Sequence, residues 1–275
     1  YATVKRMLAL LVTEGFLTQI GDGKARKYAL SKKHLFLAPI NLDHYFAREI
    51  DERNAHSGYN FALLEDILPE IALFTNEEFA GLNELQHRFK QNISELSAAQ
   101  SAKEMERLAI DLSWKSSQIE GNTYSLLETE RLLKERITAD GKTKEDAEML
   151  LNHKDAIDFI VKTPDYVQPL SVSAIEDIHS ILIKNLGVDR NIRKRRVGIS
   201  GTNYSPLDNE FQIREAMQKM CDLINSRNNI FEKALLALVL LSYIQPFNDG
   251  NKRTARIVSN ALLISNQFCP ISFRT

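Results

Sequence analysis

Gln245-Pro246-Phe247-Asn248-Asp249-Gly250-Asn251-Lys252-Arg253-Thr254-Ala255-Arg256 separates two apolar runs, residues 234–244 before it and residues 257–264 after it. Each run is too short to span a bilayer and lacks the turn residues that bound a strand, so both predict buried helices. Pro246 stops the first helix, and Gly250 opens a backbone geometry closed to other residues. The second helix then starts near Asn251, with its free N–H groups and the positive end of its dipole facing the loop. Such an end is an anion cradle, suited above all to phosphate. Arg253 and Arg256, three apart, share one face of its first turns. Asp249 is a lone carboxylate beside the cradle and suits a Mg²⁺ ion that travels with phosphates. A nucleotide phosphate site is the local expectation.

Taken alone, the loop is a helix–loop–helix hairpin with solvated charges. The whole string, however, resembles the signature of the Fic family, His-x-Phe-x-Asp/Glu-Gly-Asn-Gly/Lys-Arg-x-x-Arg. Phe247, Asp249, Gly250, Asn251, Arg253 and Arg256 all fall in register, and Gln245 stands where the family has histidine. A second stretch, Ser116-Ser117-Gln118-Ile119-Glu120-Gly121-Asn122, puts Ser116 and Glu120 on one helical face with Gly121 at the C′ position. By itself it is a capped helix end with a solvated glutamate. Ser-x-x-x-Glu-Gly nevertheless resembles the inhibitory motif of Fic proteins whose inhibitory helix precedes the catalytic core. Glu148-x-x-x-Asn152-x-x-x-Ala156 is similar to a helix face that the family places between inhibitor and core.

Residues 190–196 hold five basic side chains in seven, and Val197-Gly198-Ile199-Ser200-Gly201-Thr202-Asn203-Tyr204-Ser205-Pro206 follows. Alternation of Val197 and Ile199 between turn residues predicts a short surface hairpin with solvated arginines. By resemblance this is the Fic flap, and Val197, Ile199, Gly201, Thr202 and Tyr204 would hold the target segment by strand addition.

The resemblance covers roughly residues 35–275 and implies a mainly α fold, a Fic helical core with a short β-hairpin flap. It implies transfer of AMP from ATP to a Ser, Thr or Tyr hydroxyl of a target protein. Asp249 would hold Mg²⁺; Gly250, Asn251 and Lys252 would form the anion cradle; Arg253 would contact phosphate; Arg256 would bind the terminal phosphate; Phe247 would anchor the loop. Ser116 and Glu120 would be inhibitory, with Glu120 paired to Arg256. Proton removal from the hydroxyl falls to Gln245, and glutamine has no proton-accepting pKa near neutrality. Three explanations stand: an engineered His→Gln variant, a natural pseudoenzyme, or another base, for which His179 is the only core candidate and is better read as a packed histidine. Lys252 is a feature of the phosphoryl-transferring Doc branch, whereas Gly250 and Arg256 favour AMP transfer. A transcription regulator whose nucleotide site only senses is the competing class.

Seven Lys/Arg against two carboxylates give residues 1–33 a local charge of +5 in a chain of −1. Val4, Met7, Leu8, Leu11 and Val12 have helical spacing, Gly15 reads as a C-cap, and two short alternating strands surround Gly21-Asp22-Gly23. This resembles the recognition helix and wing of a winged helix-turn-helix, here partial, and such an arm suits duplex DNA. Residues 34–75 read as a connector with one short helix. A helical region over 76–160 would carry the inhibitory helix, and residues 161–275 the catalytic core. Cys221 and Cys269 form no ligand spacing or disulfide framework, and six scattered histidines argue against structural zinc. No signal peptide or long apolar run is present, so the expectation is a cytoplasmic protein with no membrane contact, with a homodimer among its partners. Absence of an initiator methionine and an end at Phe273-Arg274-Thr275 read as a fragment.

Overall fold

The computed structural model describes residues 2–53 and 56–273; Arg274 and Thr275, on which the reading of the chain end rests, lie outside them. The fold is mainly helical and divides into two compact units, Tyr1–Ala72 with Ile199–Tyr204, and Leu73–Gly198 with Ser205–Thr275.

In the first unit, α1 (Ala2–Thr13) ends in the expected way. Gly15 has φ 79°, and Phe16 N–H turns back to donate to Leu11 O at 2.9 Å. β1 (Leu17–Ile20) and β2 (Lys27–Leu30) form an antiparallel pair with Leu17 opposite Leu30 and Ile20 opposite Lys27. The connector holds more structure than the single helix expected. Ser31 caps α2 (Lys32–Leu37) by accepting from His34 N–H, and Asn41 caps α3 (Leu42–Phe46) by accepting from His44 N–H. Pro39 separates these two short helices. Where the single helix was expected there is one π turn, Leu63–Ile67, running into a 3₁₀ turn that contains Pro69.

The predicted hairpin over 197–206 does not form: no strand occurs between residues 190 and 204. Side chains take the backbone partners that a ladder would need. Arg53 Nη1 donates to Gly201 O at 3.1 Å, and Tyr204 N–H donates to Thr202 Oγ1 at 3.1 Å. Asn203 Nδ2 donates to Asp51 Oδ1 at 3.0 Å. Gly198 and Gly201 also contribute no side chains to a pleat, and Gly201 sits at φ 80°.

The second unit is helical. Capping boxes start α4 (Asn76–Ser94, Thr75 with Glu78), α5 (Ala98–Ile119, Ser97 with Gln100) and α6 (Leu126–Glu135, Ser125 with Glu128). The Ser97 box explains why α5 starts at Ala98 and not near Met105, where its apolar periodicity begins. α7 (Lys144–Lys162), α8 (Val172–Leu182), α9 (Glu210–Ser226), α10 (Ile230–Ile244) and α11 (Asn251–Ser265) follow. α11 is the hub: it packs on α5, α7, α8 and, most extensively, α10. Ala255, Val258 and Leu263 are completely buried along it. Burial of each Val or Leu contributes about 1.5–3 kcal/mol, so the head of α11 is held by apolar packing on its flanks. Among the described residues no helix is long and apolar enough to cross a membrane.

Candidate functional site

α10 ends at Gln245, which adopts the left-handed conformation with φ 51° and ψ 59°. Its N–H still donates to Leu241 O at 3.1 Å, and its Nε2 curls back to donate to Ser242 O at 2.7 Å. Pro246 cannot extend the helix, so the chain turns and buries Phe247 completely. The Phe247 ring lies flat on His179 of α8, with centroids 3.6 Å apart and planes within 4°. Phe247 and Asn251 then exchange hydrogen bonds: Phe247 N–H donates to Asn251 Oδ1, and Asn251 Nδ2 donates to Phe247 O, both at 2.8 Å. One side chain thereby satisfies both backbone groups of Phe247 and fixes the point where α11 begins.

Gly250 is required twice over. Its φ is 79°, and a Cβ there would lie 3.2 Å from Ile183 Cγ2. His179 supports the same turn, its Nε2 3.0 Å from Asp249 O and its Nδ1 3.2 Å from Arg190 O. Burial lowers its pKa, and a neutral imidazole can donate to only one of those carbonyls. Both nitrogens face main-chain oxygens, so His179 is a packed structural residue, as expected from its position.

The charged side chains converge on the head of α11. Arg253 is almost fully buried; its Nη2 donates to Asp249 Oδ2 at 2.9 Å, while its Nη1 is buried with no partner among the described residues. The Asp249 carboxylate is 63% exposed, and Lys252 is exposed beside it. One turn further, Arg256 is held from α5. Its Nε donates to Ser116 Oγ at 2.8 Å, and its Nη2 donates to Ser116 O at 3.2 Å and to Glu120 Oε1 at 2.6 Å. Glu120 is the last residue of the α5 end, followed by Gly121 at φ 91°. Burial pulls the Arg256 pKa down, and the Glu120 carboxylate opposes that. The sequence therefore brings together Ser116, Glu120, Gln245, Asp249, Gly250, Asn251, Lys252, Arg253 and Arg256. Val197, half-buried, lies in the same unit, whereas Ile199, Gly201, Thr202 and Tyr204 belong to the first unit.

Two residues carry more than the sequence reading assigned. Arg193, expected to be solvated with its basic neighbours, is 1% exposed. Its N–H donates to Pro246 O at 2.9 Å, its Nε to Gln245 O at 2.7 Å, its Nη1 to Arg195 O at 2.7 Å and its Nη2 to Leu207 O. A guanidinium satisfied by main-chain carbonyls can be buried. Its one sequence signal was the apolar Ile192 beside it, itself buried. His153, on α7, gave no signal. It is fully buried, both ring nitrogens lack partners among the described residues, and it borders a cavity of about 10 Å³ shared with Ser116, Arg256 and Asn260. Burial, then Arg256 and Arg253, pushes its pKa down to about 3. Asn152, the preceding residue, donates to Leu182 O at 3.3 Å and Lys184 O at 2.6 Å, closing the end of α8.

Comparison with known proteins agrees with this geometry. The Fic/DOC family model matches residues 169–263. The protein adenylyltransferase Fic of Drosophila willistoni is 32% identical over 162 residues, which is 56% of this chain and 31% of that protein. Its Aedes aegypti counterpart is 26% identical over 254 residues, 89% of this chain and 49% of that protein. The chain thus spans less than half the length of these relatives. Among solved structures, a Fic-domain-containing signalling protein from Bacteroides thetaiotaomicron superposes with a TM-score of 0.62 at 22% identity, covering 70% of this chain and 75% of that one. Residues 169–263, which hold α8 to α10, the loop and most of α11, accordingly match the Fic/DOC family domain.

Proposed function

We propose that the chain is the core of a protein adenylyltransferase, held closed by Glu120 and slow as it stands because Gln245 occupies the base position. The Glu120–Arg256–Ser116 contact is the observation that carries this reading. The site fits ATP and Mg²⁺: the head of α11 offers free N–H groups, the buried Arg253 Nη1 has an unused donor, and the exposed Asp249 carboxylate is free on one oxygen. Mg-ATP would supply the transferable AMP and neutralise charge on the departing pyrophosphate. Asp249 would hold the metal, and Gly250, Asn251 and Lys252 would cradle the phosphates. Arg253 would bind phosphate through Nη1, and Arg256 would orient the terminal phosphate once Glu120 releases it. While Glu120 holds Arg256 at 2.6 Å, that orientation is blocked.

Gln245 can hydrogen-bond the target hydroxyl but cannot take its proton, and loss of a general base costs about 10²–10⁴ in rate. The test is transfer from α-labelled ATP by the chain itself and by Glu120→Gly, Gln245→His and the double variant. Strong transfer by the double variant alone supports the reading. Equal transfer by the unaltered chain overturns the role of Gln245, and label arriving from the γ-phosphate moves the chain to Doc-like phosphoryl transfer.

A second reading rests on the first unit. A helix, then a two-stranded hairpin whose turn exposes Lys24, Arg26 and Lys27, is the order of a recognition helix and its wing. On this reading the nucleotide site senses and the arm binds duplex DNA.

A further inference from the structure

Arg193 does more than satisfy carbonyls, because it ties a basic strip to the catalytic loop. One guanidinium bonds Gln245 O and Arg195 O, each at 2.7 Å, and the Arg193 N–H bonds Pro246 O at 2.9 Å. The backbone that bears Lys194, Arg195 and Arg196 therefore lies within one arginine's reach of position 245, and all three side chains are exposed. Their counter-charges are few. Lys194 Nζ is 3.5 Å from Oε2 of the half-buried Glu210, and Arg196 Nη2 is 2.7 Å from Oδ2 of the exposed Asp208. Arg190 and Arg195 have no ion pair among the described residues. Asp189, next to Arg190, accepts instead from Asn191 N–H and Nδ2, both at 3.0 Å.

We propose that this strip, centred on Arg195, recognises acidic residues flanking the acceptor hydroxyl, so that the substrate class is an acidic protein segment. The inference deepens the adenylyltransferase reading and rests on it for the identity of the acceptor. A hydroxyl delivered to position 245 belongs to a chain advancing at most about 3.3–3.6 Å per residue. Side chains within a few residues of it therefore come within reach of the strip. Arginine presents a planar fork that matches a carboxylate, and the backbone under Arg195 is already fixed, so little order is lost on binding. The cations of both pairs are exposed, so the contacts with Asp208 and Glu210 are weak enough for an incoming carboxylate to displace. In a chain of net charge −1, four exposed cations within seven residues beside the loop oppose the overall balance and suit a negatively charged partner.

The test is fluorescence anisotropy with labelled twelve-residue peptides carrying one central Tyr, flanked either by Asp/Glu or by Asn/Gln, with and without Mg-ATP. A single-stranded oligonucleotide of matched charge is the third probe. The expected result is about tenfold tighter binding of the acidic peptide, at about 2- to 5-fold per exposed ion pair, with a steep loss on adding salt. Arg190→Glu with Arg195→Glu removes the preference and leaves Mg-ATP binding unchanged. Equal binding of the two peptides overturns the proposal, as does an oligonucleotide that binds as tightly as the acidic peptide. Mg-ATP binding measured separately by calorimetry distinguishes the two levels. Its absence alongside an intact acidic preference sinks the adenylyltransferase reading alone, and its presence without the preference sinks the recognition strip alone.

Discussion

His153→Leu isolates a single buried proton-binding group. In the folded chain His153 is fully buried without a partner, and its pKa is pushed down to about 3. In the unfolded chain an ordinary histidine titrates near 6.5. Between those values the unfolded state binds a proton that the folded state refuses, so stability falls as pH drops through 6.5 and levels off below about 3. At pH 5 the single-site linkage amounts to about 2 kcal/mol relative to pH 8, an appreciable part of the 5–15 kcal/mol of a typical domain. Leucine has about the same bulk and no proton to bind. It also removes a buried N–H that has no acceptor, a defect worth about 1–3 kcal/mol. The expected outcome is therefore a variant at least as stable as the parent at pH 8 whose acid limb is shallower by about one proton between pH 6.5 and 4. Urea titrations across that range, for both proteins, measure the slope directly. Identical acid slopes would show that His153 is protonated, or reached by solvent, in the folded state, and the reasoning would fail.

Gly250→Ala forces a Cβ into a left-handed position against Ile183, so a loss of about 2 kcal/mol in urea titrations and weakened Mg-ATP binding by calorimetry are expected. No loss of either would show that the turn relaxes. Glu120→Gly frees Arg256 and should tighten Mg-ATP binding several-fold, at some cost in stability because a buried guanidinium loses its carboxylate; unchanged affinity would remove Glu120 from the nucleotide site. Charge reversal at Lys24, Arg26 and Lys27, all exposed, should weaken duplex DNA retention equally for all sequences and flatten its salt dependence. Retention that survives the triple reversal would exclude the hairpin turn as the contact.

What could be read from the sequence was whatever one residue type dictates locally. Pro246 and Gly250 admit few backbone paths, and the apolar runs around them leave helices as the one way to bury that surface. For that reason the α10–loop–α11 unit, the helix start at Asn251 and the contact between Glu120 and Arg256 could be written down from spacing and family pattern. Residues 197–206 misled because alternation of Val197 and Ile199 is a signal of period two over too few residues. Arg53, distant in sequence, donates to the Gly201 carbonyl there, and Asn203 of the segment itself donates out to Ile50 O and Asp51 Oδ1. Arg193 misled in the opposite sense. Nothing in Arg-Lys-Arg-Arg says which guanidinium turns inward, because the choice is made by three main-chain carbonyls, one of them Gln245 O, with the Arg193 N–H adding a bond to Pro246 O. A buried arginine spent on carbonyls is what lets the family loop and the basic strip share one rigid backbone. Burying Arg193 thus positions the exposed charge of Arg195, and it is that coupling, not the number of cations, that gives the strip a fixed place beside position 245.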